Sequence, residues 1–173
     1  MRFRILSAGL LLAALATPIA ARAQQLSDTD LGERVANAIQ RYPQFEIFDD
    51  VNISVDNRNV RLTGRVTMPV KRDEIGKRVA KIDGVRSLTN DIQVLPLSLF
   101  DDDLRIRVAR AIYNHPAFWQ YATMAQPPIH IVVENGHITL TGRVNSQVEK
   151  SLAFAVAHVP GSFDVKNDLR IDK

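Results

Sequence analysis

Leu62-Thr63-Gly64-Arg65-Val66 and Leu140-Thr141-Gly142-Arg143-Val144 spell one pentapeptide, LTGRV, twice in a chain of 173 residues. Working outward from it, the match extends over most of the sequence. Upstream, Leu31, Val35, Ile39, Pro43 and Phe45 match Leu104, Val108, Ile112, Pro116 and Phe118 at an offset of 73. Around the pentapeptide, Ile53, Val55, Val60, Leu62 and Gly64 match Ile131, Val133, Ile138, Leu140 and Gly142 at 78. Downstream, Ile75, Val79, Ile82, Gly84, Asn90, Asp91 and Ile92 match Leu152, Val156, Val159, Gly161, Asn167, Asp168 and Leu169 at 77. The chain is therefore an internal duplication: one unit over residues 28–96, a short apolar connector over 97–100, and a second unit over 101–173.

Hydrophobic periodicity gives each unit the same element order. Leu31, Val35 and Ile39 recur every four residues on one helical face, with Asp28 or Thr29 as N-cap, and Pro43 ends the helix. Val51, Ile53 and Val55, then Val60, Leu62 and Gly64, alternate as in a hairpin with one buried face. The second copy makes that turn with Asn135-Gly136, a pair suited to type I′ geometry. Arg58 stands in place of Gly136 in the first copy, and a bulky residue resists positive φ, so a longer or strained turn is expected there. A second helix carrying Ile75, Val79 and Ile82, then a last strand through Val94, completes an α+β pattern. Two tandem αββαβ units follow, each with two helices packed on one face of a three-stranded sheet. Units this small bury limited surface, so contact between them, with the connector packed rather than swinging, would help both.

The first 23 residues read as an export signal: a basic start at Arg2 and Arg4, a short apolar run, and Ala21-Arg22-Ala23 as the cleavage pattern, with cleavage expected after Ala23. Arg2, Arg4 and Arg22 account for three of the 22 basic residues, leaving 19 against 19 acidic. The basicity of the sequence thus belongs to the signal, and the persistent positive excess wanted for nucleic-acid binding is missing. No cysteine is present, so neither disulfides nor a lipoprotein-type anchor is expected. After the signal no apolar run approaches the roughly 18 residues a membrane span needs. A periplasmic location is expected, with peripheral rather than integral membrane contact.

Three features in a fixed order, found in both copies, resemble a known family. They are the alternating strand ending in Gly-x-Val (Val60, Leu62, Gly64, Val66; Ile138, Leu140, Gly142, Val144), the helix end at Asp83-Gly84-Val85 or Pro160-Gly161, and Asn90-Asp91-Ile92 or Asn167-Asp168-Leu169. Together they resemble the BON domain, named for bacterial OsmY and nodulation proteins, and two exported units are similar to the OsmY type. The second copy departs after Gly161, where Ser162-Phe163 replaces Val85-Arg86, so its last turn is expected to differ. The resemblance implies a non-catalytic envelope module without cofactor, associated with phospholipid surfaces and with envelope integrity under osmotic stress. It brings no catalytic residues.

The residues themselves give few handles for catalysis. His115, His130, His137 and His158 are scattered, without metal-ligand spacing, and nucleophile elbows and phosphate loops are missing. Asp101-Asp102-Asp103 stands at a helix start, where negative charge favours the helix dipole; metal binding is the other reading. Two surfaces are candidates for contact with anionic phospholipid or an envelope protein. One is the insertion peculiar to the second copy, with Trp119, Tyr121 and Met124, residues suited to an interface or a headgroup layer and equally to covering the unit's own core. The other is a helix flank with Lys71, Lys77, Arg78 and Lys81, interrupted by Glu74, which also reads as an ordinary solvated face. Arg65 and Arg143 point away from the buried face, towards solvent or a cross-strand salt bridge. The expected activity is weak, reversible association with phospholipid; a chaperone-like or protein-binding module is the alternative.

Overall fold

A computed structural model describes residues 26–172. The proposed export signal lies outside the described residues. The first unit runs through helix α1 (Asp28–Gln40), strands β1 (Asp50–Asp56) and β2 (Asn59–Val66), helix α2 (Pro69–Ala80) and strand β3 (Ser87–Val94). The second follows with α3 (Leu99–Tyr113), a short 3-10 turn (Pro116–Phe118), α4 (Trp119–Ala122), β4 (Ile129–Glu134), β5 (His137–Val144), α5 (Gln147–Val156), β6 (Asp164–Asn167) and β7 (Arg170–Ile171). Each is the expected αββαβ unit: an antiparallel hairpin whose second strand pairs in parallel with the last. In the second unit the last strand is interrupted at Asp168 and Leu169. It resumes in the same register, with Leu140 opposite Asn167 and Arg143 opposite Arg170, so β6 and β7 are two pieces of one strand.

The periodic residues form the two cores. Leu31, Val35 and Ile39 meet Leu62, Val66, Ile75, Val79 and Ile92 in the first; Leu104, Val108 and Ile112 meet Ile131, Ile138, Leu140 and Leu169 in the second. Asn90 and Asn167 bind strand to helix. Their side-chain amides donate to the backbone carbonyls of Arg72 (3.0 Å) and Lys150 (2.8 Å). The duplicated asparagine is thus explained by a satisfied, half-buried amide rather than by chemistry.

The capping of α1 differs from expectation. Ser27, not Asp28 or Thr29, is the N-cap, its hydroxyl accepting from the Asp30 N–H at 3.1 Å. Asp28 is occupied elsewhere: its carboxylate accepts the N–H groups of Asn57 (2.7 Å) and Arg58 (2.9 Å) at the hairpin turn. Asp101 does the same for Asn135 (2.9 Å) and Gly136 (2.8 Å), and is fully buried. Of the two alternatives expected for the first turn, longer or strained, the structure shows the strained one, held by this duplicated staple. Asn57-Arg58 is a two-residue turn like its counterpart, with φ of 49° and 66°. Charge-assisted hydrogen bonds from Asp28 and a bond from Arg58 Nε to the Gly84 carbonyl (3.0 Å) offset the left-handed backbone of Arg58. The last turn of the second unit also keeps its form despite Ser162-Phe163. Phe163 N–H donates to the Gly136 carbonyl as Arg86 N–H donates to Arg58, both at 2.9 Å.

Gly64 and Gly142 sit opposite Val51 and Ile129 in unbroken registers, so neither marks a bulge. Each has positive φ (119° and 101°), and a Cβ there would collide with the carbonyl oxygen of Asp50 or Pro128. The pentapeptide needs its glycine for close backbone approach.

The units join through the segment before β1 rather than through the connector. Leu95 is buried, but Leu97 is 97% exposed, and Leu99 and Phe100 belong to α3. Ile47 and Phe48 instead pack against the second core. The Ile47 carbonyl accepts from Ile131 N–H at 2.7 Å, His130 Nδ1–H donates to the Asp49 carbonyl at 2.6 Å, and Thr141 Oγ1 donates to Asp50 at 2.9 Å. Arg65, expected to face solvent or a strand of its own sheet, crosses the seam to Glu134 at 2.9 Å.

Candidate functional site

The insertion after α3 divides its aromatic residues between two roles. Phe118 and Tyr121 are buried and their rings stack at 6.2 Å. Tyr121 therefore serves the core and is no contact residue. Its hydroxyl donates to Glu149 at 2.6 Å and accepts from Asn145 N–H at 3.1 Å. Burial first, and then the hydrogen bond to Glu149, raise its phenol to about 12. Trp119 and Met124 take the opposite course, at 60% and 46% exposure. The Trp119 ring N–H is already bound to the Asn114 carbonyl at 3.2 Å, so the exposed indole offers mainly its apolar faces. Asn114 is one turn beyond Arg110 and two beyond Ile106 on α3, and all three are exposed. A cation and an apolar side chain thus precede, on one stripe of α3, the residue whose carbonyl binds the indole of α4.

The basic flank of α2 also changes in composition. Lys71 is removed from it: the side chain is fully buried, 2.8 Å from the equally buried Asp49 and 3.3 Å from Glu46. Its position in the first turn of α2 turns it inward to neutralise Asp49, whose other bonds come from the N–H groups of Glu46 and Thr67, both at 2.9 Å, and the Thr67 hydroxyl. Lys77, Arg78 and Lys81 remain exposed and, with Ala38 of α1 and its C-cap residue Arg41, line a shallow groove between the two helices. Glu74 lies within it, bound to Lys77 at 2.7 Å, and that bond holds its carboxyl below the ordinary value. Arg78 lies over the Tyr42 ring, 4.9 Å from its centre. Trp119 and Met124 do not line this groove, so the two surfaces are separate.

Among the described residues the four histidines have separate structural partners. His115 caps the 3-10 turn, His130 holds the seam, His158 binds the Phe154 carbonyl, and His137 pairs with Asp164 at the surface. Among the described residues no group of histidines and carboxylates is arranged to hold a metal ion, and Asp101 is committed to its turn. No helix among them is long and apolar enough to cross a membrane.

The profile of the BON domain matches residues 27–96 and again residues 101–173. The chain belongs to the BON domain family. Both BON units are covered nearly end to end, and membership supports a non-catalytic, envelope-associated protein. No curated protein matches the chain. Among solved structures, the C-terminal domain of CdsD, the structural protein of the type III secretion system of Chlamydia trachomatis, is 13% identical with a TM-score of 0.30, covering 85% of this chain and 100% of its own. A second CdsD structure is 16% identical with a TM-score of 0.29, covering 83% and 94%. Likenesses at that level carry no functional weight.

Within the tandem BON frame, Arg41, Arg110 and Ile106 escaped the sequence reading. Arg41 is brought beside Lys77 and Arg78 only when α1 and α2 pack. Ile106 and Arg110 could have been found as an exposed stripe on the α3 wheel, offset from Leu104, Val108 and Ile112.

Proposed function

We propose that this tandem BON protein works in the bacterial periplasm, docking peripherally and reversibly on anionic phospholipid and so helping to maintain the envelope under osmotic stress. The observation that carries this reading is Trp119: a largely exposed indole bound to the Asn114 carbonyl, flanked in sequence by the buried Phe118 and Tyr121, with Arg110 one turn before Asn114. Such a wedge suits the headgroup layer, where aromatic rings settle and arginines reach phosphate. The groove of Arg41, Lys77, Arg78 and Lys81 adds a second, electrostatic contact worth about 1 kcal/mol per cation near a charged surface. After residue 23 the chain carries as many acids as cations, these included, so attraction is local rather than global.

An aromatic side chain buries roughly 150–250 Å² when fully covered. With 60% of Trp119 available and about half of that immersed, the gain is about 1–2 kcal/mol at roughly 25 cal/mol per Å². Co-sedimentation with anionic vesicles should therefore weaken about five- to thirtyfold on Trp119→Ala. Lys77→Glu should weaken it further and only at low salt. Equal sedimentation with neutral and anionic vesicles, or none with either, removes the proposal. A protein-binding, chaperone-like role draws support from a different place: Leu97, Leu99 and Phe163 are exposed apolar side chains around the start of α3, with Phe100 and Phe163 rings 6.4 Å apart. Suppression of client aggregation that survives Trp119→Ala would favour that second reading.

A further inference from the structure

Beside the contacts that join the units lies a cleft of about 910 Å³. Its floor is the face of the second sheet that carries Thr139, Thr141 and Arg143, and Lys150 of α5 also lines it. Along β5, Ile138, Leu140 and Val144 point into the core, while Thr139, Thr141 and Arg143 alternate with them and line the cleft. Lys166, Asp168 and Arg170 continue the floor, and Asp50 and Asn52 of β1 form the opposite wall. Both arginines of the repeated pentapeptide therefore end at one place, for a reason that lies in the assembly of the units and not in either alone.

The chemistry of this cleft differs from that of the two surfaces above. Five cations line it against three carboxylates, Asp50, Asp168 and Asp172. Arg65 is engaged by Glu134, Lys166 by Asp168 at 2.7 Å, and Arg143 only loosely by Asp172 at 3.4 Å. Lys150 and Arg170 pair with no carboxylate among the described residues. The polar lining does not suit an acyl chain. Hydroxyls, amides and paired Arg and Asp side chains present donors and acceptors together, as a polyhydroxylated ligand requires. Phe45, 5.5 Å from the His130 ring, supplies an apolar face at one end. The unpaired cations call for negative charge on the ligand, and an arginine fork matches a carboxylate.

We infer that the cleft between the BON units binds an anionic oligosaccharide, its carboxylates held by Arg143, Lys150 and Arg170 and its hydroxyls by the threonines and Asn52. This site is independent of the lipid-facing surfaces, and its ligand lies across both units. The test is titration of the two-unit chain with tetragalacturonate as probe, followed by amide NMR and calorimetry, with maltotetraose as the uncharged counterpart and inorganic phosphate as a small competing anion. Tetragalacturonate should shift the amides of residues 139–143 and of Arg170. Arg143→Ala combined with Arg170→Ala should weaken it by at least about tenfold, the loss of two exposed charge-assisted contacts. Asn52→Trp, which fills the cleft from β1 while leaving every cation in place, should abolish binding and leave vesicle sedimentation unchanged. Equal binding of maltotetraose, full competition by phosphate, shifts centred on Lys77 and Arg78, or no binding at millimolar probe would each overturn the inference.

Discussion

Replacing Lys71 with methionine tests whether the segment between α1 and β1 is held by one buried ion pair. The Lys71 ammonium is fully buried 2.8 Å from an equally buried Asp49 carboxylate. Removing one partner of such a pair costs about 3–5 kcal/mol, because the other charge is left uncompensated. Asp49 would still accept two backbone N–H groups and the Thr67 hydroxyl, so the lower end, about 3 kcal/mol, is expected. For a unit of this size that is a fall in Tm of roughly 12–24 °C. Glu46, the partly exposed third member, should matter far less: Glu46→Gln is expected to cost under about 1 kcal/mol. The double variant Asp49→Asn with Lys71→Met should cost less than the sum of the single ones by about 2 kcal/mol. The assay is urea unfolding followed by far-ultraviolet circular dichroism, which sees both units, and by fluorescence of the single tryptophan, Trp119, which reports the second. Lys71→Met should lower the first unit's midpoint more than the fluorescence midpoint. A loss below about 1 kcal/mol, or additive single and double variants, would refute the assignment of Lys71 as a structural counter-charge.

Gly142→Ala should destabilise the second unit by at least about 3 kcal/mol, since a Cβ would overlap the Pro128 carbonyl in a backbone that L-residues avoid; a variant with an unchanged urea midpoint would show that the strands can part there. The Tyr121 phenol, raised to about 12 from an unfolded value near 10, binds its proton more tightly when folded. Its contribution is therefore complete below about pH 10 and is lost as pH rises through about 12. Denaturation midpoints of the second unit should fall across that window, and Tyr121→Phe should flatten part of the fall; phenolate absorbance from Tyr121 near pH 10 in the folded chain would contradict this.

Much of the fold could be read in the sequence because it depends on local periodicity. Leu31, Val35 and Ile39 can face one core only as a helix, and Val60, Leu62 and Val66 only as a strand, so the duplicated αββαβ order followed directly. Turn chemistry was harder. Arg58 left a longer and a strained turn both open because the carboxylate that stabilises the strained one, Asp28, lies 30 residues away. The candidate surfaces were half legible for a similar reason. Trp119 and Tyr121 are two residues apart and chemically alike, and only tertiary packing, with Phe118 beside Tyr121 and Glu149, 28 residues beyond it, decides that one ring is core and the other surface.

Duplication, the family and the balance of charge after residue 23 were thus determined by the sequence itself, since each depends on residue order or composition. Only the tertiary structure turned Lys71 inward to a buried carboxylate and brought Arg41 beside Lys77. It also joined the units through Ile47 and Asp49 and placed Arg65 and Arg143 on one cleft. Pairing between distant side chains follows from how helices and sheets pack in three dimensions, and no spacing along the chain encodes it.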